Sequence, residues 1–234
     1  MRMRWHDLLF AHWPVDRELI GQRVPPGLEI DTFEGRAWLG IVPFRMTDVG
    51  FRGLPSFRGM KAFGEINVRT YVRHEGKPGV WFLSLDAADH SAVQGARRFF
   101  RLPYYDASIA SDDVNGWVRY QAERHDPRGP EARFLARYRP TGPPAPAEPG
   151  SLDAFLTERM CLYAVDGRGR IERTDIAHAP WPLQPAEAHV EIDTMAESHG
   201  LVLPEVAPRF LFSRRLDVVA WWPRRVGTRS IEHR

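Results

Sequence analysis

Phe63-Gly64-Glu65-Ile66-Asn67-Val68-Arg69-Thr70-Tyr71-Val72-Arg73 alternates in character with the period of two expected of a β-strand. Ile66, Val68, Thr70 and Val72 fall on one face, which can pack. Glu65, Asn67, Arg69 and Tyr71 fall on the other. An acid, an amide, a guanidinium and a phenol in one row suit the wall of a pocket or the interior of a barrel. They suit equally the solvated face of an edge strand, and the row alone does not choose.

Working outward, the chain is rich in strand and turn signals. Downstream, His74 to Gly79 reads as a turn into a strand from Val80 to Leu85; upstream, Leu28 to Phe33 and Arg36 to Phe44 flank Glu34-Gly35 as a hairpin, and Thr47 to Gly59 reads as a loop. Asp16 to Gln22 reads as a short helix after Pro14, and Ser91 to Phe100 as another, with Val93, Ala96, Phe99 and Phe100 at helical spacing. Tyr104 to Ile109, Trp117 to Glu123 and Ala132 to Arg139 form a predicted meander around Asn115-Gly116. Five prolines and two glycines between Pro140 and Gly150 predict a mobile loop or a boundary. Ser151 caps a helix reaching about Arg159, and Met160 to Val165 pairs with Ile171 to Ile176. Ala188 to Ile192, Phe210 to Phe212 and Leu216 to Trp222 complete the strands, with a short helix around Thr194 to His199. The sum is a sheet-dominated α+β fold of mostly antiparallel strands with a few short helices. A single domain over residues 1–222 is expected, with a flexible tail over 223–234.

Composition narrows the function. With 234 residues, 43% hydrophobic residues and eight Trp, the chain can fill a substantial core. No apolar run is long enough for a membrane span, no signal-peptide pattern opens the chain, and a cytoplasmic protein is expected. Cys161 is the only cysteine, which excludes an intrachain disulfide and a thiolate-based structural zinc site. Net charge is +2, carried by 30 arginines and two lysines, Lys61 and Lys77. The arginines are interleaved with acids, so the basic stripe that nucleic acid requires is missing. The nine histidines show no His-x-x-x-His spacing, and no nucleophile elbow, dinucleotide fingerprint or P-loop occurs. Neither metal nor cofactor is expected.

Three stretches together resemble the YqjF-like family of uncharacterised bacterial proteins: Phe63 to Val72, Ala96-Arg-Arg-Phe-Phe-Arg-Leu-Pro-Tyr-Tyr105, and Leu156-Thr-Glu-Arg-Met-Cys-Leu-Tyr163 followed by His178-Ala-Pro-Trp-Pro-Leu183. The resemblance runs from about Trp5 to Trp222. That family is similar in architecture to acetoacetate decarboxylase, which implies a cone-like β-barrel around a pocket. Placed on the decarboxylase pattern, the glutamate of its first motif matches Glu65 and its arginine Arg98, but its two lysines fall on Tyr104 and Tyr105. Imine formation needs a primary amine, and a phenol supplies none. Lys61, near the mouth of the same strand, is the alternative amine; an isolated lysine is more often simply solvated. Schiff-base decarboxylation is therefore not expected.

The resemblance implies that Glu65, Asn67, Arg69 and Tyr71 face inward with Arg98, Tyr104 and Tyr105. Arg69 or Arg98 would anchor a carboxylate through its planar fork, Glu65 would be the acid or base, and the tyrosines would donate to an oxyanion. A buried network in which Glu65 only neutralises an arginine is the competing reading. Glu158, Arg159 and Tyr163, together with His178 and Trp181, form a second candidate group, with His178 as either proton carrier or packing element. Two functions fit: a lyase, hydratase or isomerase acting on a small carboxylate- or carbonyl-bearing metabolite, or a non-catalytic module that binds one. A homo-oligomer is expected from the apolar content and from the family resemblance.

Overall fold

A computed structural model describes residues 1–50 and 62–227. The strands are β1 (Arg2–Val15), β2 (Glu29–Ile30), β3 (Ala37–Gly50), β4 (Phe63–His74), β5 (Lys77–Ala87), β6 (Tyr104–Val114), β7 (Trp117–Arg124), β8 (Arg133–Pro140), β9 (Cys161–Val165), β10 (Ile171–His178), β11 (Gln184–Asp193), β12 (Arg209–Ala220) and β13 (Arg224–Arg225). The helices are α1 (Arg17–Gly21), α2 (His90–Phe100) and α3 (Leu152–Thr157), with a 3₁₀ turn at Glu197–His199. Asp16, Asp89 and Ser151 cap the three helices through side-chain oxygens. None of the described helices is long and apolar enough to cross a membrane.

The strands form one 13-stranded sheet that closes on itself twice. In the first ring, β1, β3, β4, β5, β9, β10 and β12 pair in succession, and β10 returns to β12. In the second, β5 also pairs in parallel with β6, and the meander β6–β7–β8–β11 returns to β12. The two rings share the wall β12–β1–β3–β4–β5. Alternation along that wall sends odd-numbered side chains of β4 into the first ring and even-numbered ones into the second. Ile66 and Val68, with Leu9 and Ile41, pack against Tyr120, Phe134 and Tyr138 in the second ring. Phe10, Val42, Phe44 and Leu85 line the first.

Turn chemistry explains the tight hairpins. Glu75-Gly76 joins β4 to β5 and Asn115-Gly116 joins β6 to β7, each with both residues at positive φ, as two-residue turns matched to strand twist require. Glu34-Gly35 adopts the same conformation but closes only the Phe33–Arg36 bridge, and β2 pairs with β4, not with β3. Both edges of β3 are taken, by β1 and β4, so β2 occupies Val72–Arg73 just beyond the last β3 pair.

Other expectations need correction. The N-terminus is a central strand, β1, where no element was predicted. The Pro-rich stretch is not a free loop, because the Thr141 and Ala145 N–H groups donate to the Pro185 and Leu183 carbonyls and hold it against the start of β11. The two strands expected over 210–222 are one strand, β12, and Arg224–Arg225 of the expected tail pair with β10. Thr47–Gly50 belongs to β3, while the remainder of that predicted loop, with Lys61, lies outside the described residues.

Candidate functional site

Glu65 sits in the middle of the sheet, paired through its backbone with Phe44 on one side and Ala87 on the other. Its side chain points into the first ring and is 2% exposed. Oε2 accepts a hydrogen bond of 2.8 Å from the Tyr104 hydroxyl. Tyr104 opens β6 and is aimed there by the parallel pairing of β6 with β5. Burial pushes the Glu65 carboxyl up to about 8; the Tyr104 bond opposes this and the nearby Asp86 adds to it. Glu65 is therefore a carboxylic acid at neutral pH. Burial and Glu65 together hold the Tyr104 phenol well above its ordinary value, so it remains a donor. With Oε2 committed to Tyr104, Oε1 carries the exchangeable proton.

Two residues along each time, Asn67 and Arg69 continue the row, so Arg69 lies about 13 Å from Glu65 along the strand. Asn67 is 4% exposed and its Oδ1 has no hydrogen-bond partner. Arg69 reaches the Leu156 carbonyl through Nη2 at 3.4 Å, and its buried Nε has no partner. Arg159, at the junction of α3 and β9, approaches the same end. Its Nη1 binds Asp31 Oδ2 at 2.6 Å and its Nε the Phe155 carbonyl at 2.6 Å, leaving the buried Nη2 unpartnered. Buried polar atoms without partners are uncommon in folded proteins, and here two arginine donors and one amide acceptor are such atoms along one cavity.

Tyr71 stands behind this pair. The Arg69 and Arg159 guanidinium carbons lie 5.8 and 4.9 Å from its ring centroid. Its hydroxyl donates to the Leu156 carbonyl at 2.7 Å and accepts from His12 Nε2 at 2.6 Å. Because the Tyr71 proton goes to Leu156, His12 must carry its own proton on Nε2. Burial, helped by Arg69, drives the His12 pKa well below its ordinary value, so this imidazole is neutral. A Cβ at Gly40 would come within 2.8 Å of His12 Nε2, so the ring fits only against glycine.

A cavity of about 120 Å³ fills the space between this row and the opposite strands of the ring. Glu65, Asn67, Arg69, Tyr104, Arg159, His178 and Trp181 all line it. His178 donates from Nδ1 to the Ala179 carbonyl at 2.7 Å. The Trp181 indole donates to the Thr157 carbonyl at 2.9 Å, and the Trp181 backbone N–H to Glu158 Oε1 at 3.0 Å, so Glu158 orients the wall without lining it.

Besides Glu158, four expected residues stand away from the cavity. Arg98 is exposed on α2, because Val93, Ala96 and Phe100 define the buried face of that helix and Arg98 falls on the other. Arg159, and not Arg98, lines the cavity with Arg69. Tyr105 follows Tyr104 in a strand and so points the opposite way, under the Arg124 guanidinium at 4.3 Å and against Gly129. Tyr71 is packed behind the arginines and does not line the cavity. Tyr163 belongs to a separate cluster with Leu28, Val72 and Cys161, its hydroxyl donating to the Lys77 carbonyl at 2.9 Å. Lys77, the one lysine among the described residues, is paired with Asp175 at 2.9 Å, outside the cavity. Sequence reasoning missed His12 and Asp31, which carry no local pattern and act only through contacts across the fold. Among the described residues, no group of three His, Cys, Asp or Glu could hold a metal ion.

The architecture is that of acetoacetate decarboxylase. The crystal structure of that enzyme from Legionella pneumophila superposes with a TM-score of 0.68 at 14% identity, covering 97% of this chain and 88% of that one. MppR, an enduracididine biosynthesis enzyme, matches in a complex with pyruvate with a TM-score of 0.66 at 14% identity, covering 96% of this chain and 89% of that one. In sequence, the chain is 45% identical over 221 residues to the uncharacterized protein YqjF of Bacillus subtilis (strain 168), covering 94% of this chain and 90% of that protein. Residues 2–217 match DUF2071, described as an uncharacterized conserved protein, and the chain belongs to that family.

Proposed function

We propose that the first ring binds a small molecule bearing a carboxylate and a carbonyl, and that Glu65 exchanges a proton with it. The observation that carries this reading is the placement, in one cavity, of a protonated buried acid and two arginines with unpartnered donors. Arg159 Nη2 and Arg69 Nε receive the carboxylate, which removes the cost of leaving those donors dry. Asn67 stands between the anchor and the acid. Glu65, steadied by Tyr104, gives its proton to the carbonyl oxygen as an α-proton leaves for a base, and the proton returns when the carbonyl re-forms. His178 is that base. Its Nδ1 donates to the Ala179 carbonyl, which leaves Nε2 to take the proton from the side of the opposite strand β10. No primary amine takes part, in keeping with Tyr104 at a lysine position of the decarboxylase pattern. The pyruvate named with MppR supports a carboxylate ligand for this fold.

A thermal-shift series with pyruvate, 2-oxobutyrate and lactate, against neutral analogues, tests the anchor. A ligand at a hundred times its dissociation constant adds about 2.7 kcal/mol, or about 5–10 °C for a chain of this size. The shift is expected for the acids only and is lost in Arg69→Ala; a shift that survives the substitution would sink the anchor. Exchange of the α-protons of 2-oxobutyrate with deuterated solvent then tests the chemistry. Exchange that disappears in Glu65→Gln supports an enzyme, whereas binding without exchange supports the non-catalytic module.

A further inference from the structure

The wall of the first ring that faces β4 has a different chemistry from the anchor. In a seven-stranded closure, β10 and β12 lie across from β4, and beside Thr174 and His178 they present Ile176, Val218 and Ala220 to the cavity. Met3 from β1 and Met46 from β3 border the same end. Methionine side chains adapt to variable apolar shapes better than branched ones do. Here they lie at the end away from Arg69, since β1 begins and β12 ends there. The apolar lining also runs out to the surface: Phe100 of α2 borders the cavity and stacks on Trp222 at 5.7 Å, and Trp222 is 56% exposed, beside Phe99 at 51%.

A compact, fully polar oxo acid would use the Arg69–Arg159 end and leave this apolar half with nothing to bury. We propose that the ligand is a monocarboxylic acid with an apolar tail, its carboxylate on Arg69 and Arg159 and its tail lying past Glu65 between Met3, Met46 and Val218 toward Phe100. This deepens, and rests on, the reading of the cavity as a carboxylate site. A second charge at the far end of the molecule would find there only the Met1 ammonium, which the Ala220 carbonyl already holds, so a dicarboxylate is disfavoured.

Titration calorimetry with butyrate, hexanoate, succinate, pyruvate and 1-hexanol on the full chain tests the assignment. Burial of each added methylene is expected to tighten binding about fourfold from butyrate to hexanoate, with succinate weaker than butyrate. Ala220→Leu narrows the apolar half and is expected to weaken hexanoate at least tenfold while changing pyruvate less than twofold. Ala96→Leu on α2 does the same from the other side, should the first variant fail to fold. Equal affinities for butyrate and hexanoate, or pyruvate tighter than both, overturn the tail and leave the carboxylate anchor standing. If 1-hexanol binds as tightly as hexanoate, the anchor fails and the apolar channel stands; if nothing binds, both fail.

Discussion

The two rings share five strands yet have opposite interiors. The second ring is filled by its own side chains: Phe134 meets the Tyr120 ring edge-on at a centroid distance of 6.3 Å, and the Tyr120 hydroxyl donates to the Glu65 carbonyl at 2.7 Å. The first ring keeps a cavity, with polar groups whose partners are missing. One strand, β4, serves both, because a pleated strand gives alternate side chains to opposite faces. The filled ring acts as the rigid backing that fixes Glu65, Asn67 and Arg69 in place. The open ring accepts the cost of leaving Asn67 Oδ1 and Arg69 Nε without partners. The cavity stands where packing was left incomplete.

The sharpest way to break the contrast is to hollow the filled ring. Phe134→Ala removes a ring that is 1% exposed, and a loss of about 3–5 kcal/mol is expected, read by urea unfolding. A loss under about 1 kcal/mol would mean that the second ring is not the tight backing argued for. An effect of comparable size, but dependent on pH, comes from Glu65. Its carboxyl is raised from 4.5 to about 8 on folding, so between those pH values the unfolded chain is ionised and the folded chain is protonated. Stability attributable to Glu65 therefore falls as pH rises through this window, by about 1.4 kcal/mol per unit, and the loss is complete above the folded value. The stability difference between the native chain and Glu65→Gln, followed from pH 5 to pH 9 by denaturant titration, should show this slope; a flat difference would place Glu65 in a far wetter or better-paired setting. The smallest effect is expected at Arg98→Ala, within about 0.5 kcal/mol in stability and with carboxylate binding unchanged. Loss of binding there would restore Arg98 as an anchor.

The polar row on β4 was legible because it alternates cleanly. Period two, polarity and the family pattern all agreed on Glu65, Asn67 and Arg69. β1 was hidden for the complementary reason. Leu8 to Ala11 forms a continuous apolar run because that strand is buried in both rings, and such a strand shows no alternation. Tyr104 and Tyr105 could not be separated by motif position alone, since only strand parity decides which of two neighbours faces in. Arg159 was named as a candidate, but its pairing with Asp31, 128 residues away, was beyond any local signal. The same holds for His12 beneath Tyr71.

The placement of β1 carries a consequence for the life of the molecule before it is finished. Residues 2–12 pair along their length with residues 209–219, so β1 emerges during synthesis long before its partner β12. Neither ring can close until β12 is available, and closing contacts across such a span is slow. During that interval the nascent chain carries an apolar strand with one edge unsatisfied, the kind of surface that invites association with other chains. The pocket is thus assembled late, and a ribosome-bound intermediate would have Glu65 and the arginines spread on an open sheet, wet and individually titrating, with no site at all.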